Sequence, residues 1–83
     1  MPNPKSKASS LAPAGHTYKL IELVGTSRES YEGAIRQAVK DASKSVRGLS
    51  WFEVTELRGQ IQNGDVLEYQ AKVKVGFRVL DRE

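Results

Sequence analysis

VLEYQAKVKVGFRV, residues 66–79, follows directly on Asn63-Gly64-Asp65 and alternates over its length. Leu67, Tyr69, Ala71, Val73, Val75, Phe77 and Val79 point to one face of an extended chain, and Glu68, Gln70, Lys72, Lys74 and Arg78 to the other. Asn63-Gly64 is the signal of a two-residue turn whose central residues both need positive φ. Such a turn joins antiparallel neighbours. The preceding run, residues 49–61 (LSWFEVTELRGQI), is therefore the partner strand of a hairpin.

Upstream, residues 18–24 (YKLIELV) read as a first strand that stops at Gly25. Thr26 and Glu29 are spaced as a capping box that opens a helix. Tyr31, Ala34, Ile35, Ala38, Val39, Ala42 and Val46 then trace one helical stripe, with most charges off it. Gly48 suits the left-handed position that ends a helix. Gly33, inside it, costs about 1 kcal/mol against alanine, and its bare backbone lets another backbone approach. The expected fold is α+β, in the order β-α-β-β, with the helix on one face of the sheet. The other face is left for a second subunit or a ligand, and Glu68, Lys72 and Lys74 make part of it wet.

At 83 residues the chain has room for one domain, and a domain this small is marginal alone. With no cysteine and His16 as its one histidine, it has neither disulfides nor an evident zinc site. Self-association is the remaining remedy. The lack of cysteine fits a reducing compartment, and the expected location is the cytoplasm. Of the net charge of +3, Lys5 and Lys7 account for +2, which leaves eleven basic and ten acidic residues beyond position 15. That balance argues against nucleic acid despite a pI near 9.4. Residues 1–16 (MPNPKSKASSLAPAGH) have the composition of a disordered arm, either a solvated tail or a small basic arm for a partner. Residues 17–83 form the expected domain. No apolar run approaches the roughly 20 residues of a membrane span, and the N-terminus lacks the apolar stretch of a signal peptide. No membrane association is expected.

Enzyme signatures are missing: no cysteine nucleophile, no Ser-His pair with a nearby carboxylate, no G-x-G-x-x-G. Glu53 and Glu56, three apart on a strand, are expected on opposite faces. With Phe52 and Val54 toward the helix, Trp51 faces away from it beside Glu53 and Thr55. Pairing Gln62 with Asp65 and continuing that register sets Leu57 opposite Gln70 and Trp51 opposite Gly76. Gly76 then leaves open space beside the indole. Trp51 reads either as a platform for a flat ring or as an anchor of a subunit interface. Gln70 is either a ligand contact or an ordinary solvent-facing residue. Arg58-Gly59 is either a bulge that sets a cation near an anionic ligand or an exposed charge at the hairpin end. Trp51 and Gln70 lie six residues apart across the hairpin, about 20 Å along the strands. One ring cannot touch both within one subunit, so a ligand that uses both lies between subunits.

Three stretches taken together, YKLIELVGTS (18–27), WFEVTELRGQI (51–61) and EYQAKVKVGFR (68–78), resemble the dodecins. The resemblance covers nearly all of residues 18–79 and leaves the N-terminal arm outside. It implies a three-stranded antiparallel sheet partly wrapped around one helix, twelve copies in a hollow shell, and no catalysis. It further implies flavins bound in pairs at subunit contacts, with Trp51 sandwiching the ring and Gln70 hydrogen-bonding its polar edge. Arg58 matches a position near the flavin and its phosphate-bearing side chain. Ser45, Val46 and Arg47 match a segment near the ligand, and Arg78 a position linked to coenzyme A. FMN is the expected flavin, with riboflavin and FAD as alternatives. The implied function is flavin storage and photoprotective sequestration in a homododecamer. Three rival readings stand beside it: a structural oligomer without flavin, a weak nucleic-acid binder using Lys72, Lys74, Arg78 and the tail, and a flavoenzyme, for which the sequence offers no reductant site.

Overall fold

The structure, a computed structural model, describes residues 15–79. The expected arm, residues 1–16, lies outside the described residues except for Gly15 and His16. Four elements follow in order: β1 (Tyr18–Ser27), α1 (Tyr31–Ser45), β2 (Leu49–Gln62) and β3 (Asp65–Arg78). The α+β, β-α-β-β order expected from the sequence is the order found. β3 is the central strand, with β1 and β2 both antiparallel to it. The hairpin turn has the predicted chemistry, for Asn63 has φ 53° and Gly64 φ 78°.

The first strand does not stop at Gly25. β3 is long enough to keep pairing, and β1 runs on to Ser27 opposite Tyr69. Gly25 is buried under the helix instead: a β-carbon there meets the Ala34 carbonyl oxygen and comes within 2.9 Å of Ala38 Cβ. Gly25, rather than Gly33, is thus the glycine that admits a neighbouring backbone. Gly33 makes room for Ser27, whose Oγ would lie 2.7 Å from an added β-carbon.

Continuing the strand also moves the helix cap. Thr26 stays in β1, and no Thr26–Glu29 box forms. Ser30 is the cap, its Oγ accepting from the Gly33 N–H at 2.9 Å. Ser27 Oγ accepts from the N–H groups of Glu29 at 3.0 Å and Ser30 at 3.3 Å. At the far end the helix finishes at Ser45 with an extended cap residue, Val46, whose N–H donates to the Ala42 carbonyl at 3.1 Å. Gly48 (φ 77°) is not that cap; it turns the chain into β2.

The core is built of small side chains. Ala34, Ala38 and Ala42 of α1 are buried, as are Ala71, Val73 and Val75 of β3. Ile21, Leu23, Ile35 and Leu49 pack around this cluster. The helix lies over β1 and β3 and barely touches β2. Fifteen helical residues span about 22 Å, whereas fourteen strand residues span about 46 Å. The turn end of the hairpin therefore extends beyond the helix and leaves Leu57 and Ile61 of β2 exposed, while Phe52 and Val54 are exposed because the helix barely touches β2.

Candidate functional site

Two bulges decide which side chains share the face of the sheet turned away from the helix. From the turn, Gln62 pairs with Asp65 and Ile61 with Val66, but Gln60 pairs with Glu68, so Leu67 is an extra residue. As a result Leu57 stands opposite Ala71, and Arg58 opposite Gln70. The expected Leu57–Gln70 pairing is one residue off for this reason. Thr55 is then extra on β2 and restores the first register, which returns Trp51 to its expected place opposite Gly76. Arg58 and Gly59 sit in regular pairing, so the bulges fall on either side of them. The Thr55 bulge also brings Glu53 and Glu56 to one face, opposite Lys74 and Lys72, where strict alternation separates them.

The open face has two dissimilar ends. At one, the Trp51 indole covers Gly76. A β-carbon on this glycine would stand 2.5 Å from Trp51 Cε2 and 2.6 Å from Cζ2. The expected open space beside the indole is thus filled by the indole itself. Leu20 flanks Gly76 from β1, and the Tyr18 ring meets the indole at 6.2 Å between centroids, tilted by 57°. Trp51 stays 43% exposed. Arg78 pairs with Tyr18, and its N–H donates to the Gly48 carbonyl at 3.2 Å. That bond sets residues 45–47 beside the same end: Ser45 and Arg47 are exposed and Val46 is half-buried.

At the other end Gln70 is held from both sides. Its Oε1 accepts from Arg58 Nε at 2.9 Å, and its Nε2 donates to Glu68 Oε2 at 2.8 Å. Arg58 also donates through its Nη1 to Glu56 Oε1 at 3.0 Å. Between the two ends runs a band of charge in which Lys72 Nζ comes 3.9 Å from Glu22 Oε2. Sequence reasoning named Trp51, Gln70 and Arg58 but missed Tyr18, Leu20, Glu56 and Glu68. Glu56 joins the set only through the bulges, whereas Glu68 shares the face of Gln70 by plain alternation along β3. Tyr18 and Leu20 join it through the β1–β3 register, which no short turn fixes.

The structure brings Arg58 together with Gln70, and Trp51 together with the end that carries Arg78 and residues 45–47. It does not bring Trp51 to Gln70. Six residues of β3 separate Gly76 from Gln70, about 20 Å. A groove of about 780 Å³ opens between α1 and β2, floored by Ile35, Val39, Leu49, Phe52 and Val75 and edged by Trp51, Glu32, Arg36 and Lys40. Among the described residues, no cluster of three or more histidine or acidic side chains is placed to hold a metal, and no helix is long and apolar enough to cross a membrane.

Comparison with known proteins gives one consistent result. Residues 17–80 match the dodecin family. The dodecin of Thermus thermophilus is 52% identical over 65 residues, covering 78% of this chain and 94% of that protein. The structure of dodecin from Streptomyces coelicolor aligns with a TM-score of 0.78 at 46% identity, covering 84% of this chain and 100% of that one. A Thermus thermophilus dodecin structure with a tryptophan-to-phenylalanine change aligns with a TM-score of 0.76 at 49% identity, covering 81% and 100% of the two chains. Two further structures of that protein carry arginine-to-alanine changes. The three altered positions have the same spacing along the chain as Trp51, Arg58 and Arg78 here. On its fold and on these matches over most of its length, the chain belongs to the dodecins, a family of small, non-catalytic flavin-binding proteins that form homo-oligomers.

Proposed function

We propose that this chain holds a flavin, FMN in preference to riboflavin or FAD, between subunits of a twelve-membered shell in the cytoplasm, and stores it without turning it over. The observation that carries this reading is Trp51: a large aromatic side chain, 43% exposed, seated against the backbone of the open face. Stacking suits a flat apolar ring to that indole. The indole also quenches the excited flavin by electron transfer, which makes storage photoprotective. Gln70 reads the polar edge of the ring. With one contact already on each amide atom, Oε1 keeps a lone pair and Nε2 keeps an N–H for the ligand. Arg58 supplies a cation for the phosphate of FMN, and residues 45–47 lie along its side chain. The separation of Trp51 from Gln70 requires that two subunits complete each site. Arg78, exposed beside Tyr18, is the residue for coenzyme A binding. The pairing of Lys72 and Lys74 with Glu56 and Glu53 disfavours nucleic acid as a partner.

The test is a fluorescence titration of FMN with the purified protein. Saturating quenching near one flavin per subunit, lost in Trp51→Ala, is the expected result. Absence of quenching with FMN, riboflavin and FAD would overturn the reading in favour of a structural oligomer.

A further inference from the structure

From Gln70 to Arg78, the open-face positions of β3 carry Gln70, Lys72, Lys74 and Arg78, with a glycine at position 76 alone. Glycine in the interior of a central strand weakens it and marks a close approach. Here the approaching group is an aromatic ring from the next strand. A β-carbon on Gly76 would lie 2.5, 2.6 and 3.0 Å from Trp51 Cε2, Cζ2 and Cδ2. These distances are shorter than carbon atoms tolerate, and the obstacle is a rigid bicycle rather than the end of a flexible chain. With any other residue at 76, the indole must leave its place. On its seat the ring has the β3 backbone beneath it and Tyr18 against it at 6.2 Å, while 43% of the residue remains open.

We propose that Gly76 is a positioning residue for ligand stacking: its bare backbone seats the Trp51 indole in the orientation that receives a flat ring. The proposal deepens the flavin reading and rests on it. A freely rotating indole loses side-chain entropy on capturing a ligand, whereas a seated one has already lost it.

The experiment compares wild type and Gly76→Ala as full chains by three measurements: mass in solution, near-ultraviolet circular dichroism of the ligand-free protein, and FMN quenching. An unchanged mass, an altered tryptophan band and FMN affinity weakened by about tenfold or more are expected. FMN affinity within about twofold of wild type would overturn the proposal. If Gly76→Ala fails to assemble, the double variant Gly76→Ala/Trp51→Ala decides. Restored assembly supports the seat, because the clash is gone, and continued failure overturns it. Tight FMN binding by wild type and Gly76→Ala alike overturns this proposal only; no binding by wild type overturns the flavin reading as well.

Discussion

Gln70 shows how a single side chain is made directional. An amide free in solvent presents donor and acceptor in either order. Here Arg58 faces Oε1 and Glu68 faces Nε2, and a flip would set donor against donor and acceptor against acceptor. Hydrogen bonds to charged groups are worth about 1.5–3 kcal/mol each, which is enough to fix one orientation. On the proposed reading, a flavin edge meets a prearranged pair. Gln70→Ala is expected to weaken FMN binding by about 1–2 kcal/mol, roughly 5–30-fold, measured by fluorescence titration. Unchanged affinity would remove Gln70 from the site. Glu68→Ala is expected to weaken binding by about threefold, and to add nothing in the Gln70→Ala background, since it acts only through that amide. Additive losses in the double variant would show that Glu68 acts by another route.

At the scale of elements, the joint between β1 and α1 yields a sharp contrast. Ser30→Ala removes the acceptor for the Gly33 N–H and is expected to cost about 1 kcal/mol in thermal unfolding at fixed protein concentration. Thr26→Ala is expected to change stability by less than about 0.5 kcal/mol, because Thr26 caps nothing. The reverse order would restore the capping box that the sequence proposes. Thr26, Ser27 and Ser30 offer three hydroxyls within five residues, and the box rule selects Thr26 because Glu29 follows at the right interval. The length of β3, a partner distant in sequence, overrides that choice by pairing Ser27 with Tyr69. The hairpin shows both what local sequence encodes and where it stops. Asn63-Gly64 fixes the turn, and the strand alternation fixes the helix-facing side of Ala71, Val73 and Val75. The extra residues Leu67 and Thr55 have no local mark, since each is an ordinary strand former. Their effects cancel, so Trp51 was legible opposite Gly76, while the residues between the bulges were displaced by one.

For the molecule as a whole, the decisive feature is how little one chain buries. Among the described residues, the largest fully buried side chains are the two valines Val73 and Val75, while Phe52, Leu57 and Ile61 remain exposed, Ile61 at 73%. Burial of an apolar side chain contributes about 1.5–3 kcal/mol, so leaving these residues in water forfeits much of what a chain of this size has available. The groove between α1 and β2 is the matching deficit on the helix side. If folding and association are one process, stability depends on protein concentration. The thermal midpoint is expected to rise steadily with concentration, read by circular dichroism over a hundredfold range. Phe52→Lys sharpens the test, because it alters a residue 46% exposed in the single chain. If subunits fold first and then associate, the variant gives a folded monomer. If the exposed face of β2 completes the core, secondary structure and assembly are lost together, which is the outcome expected here. FMN binding should disappear with them: Trp51 and Gln70 stand too far apart in one chain to share a ring, and a solitary subunit would offer only half of each proposed site.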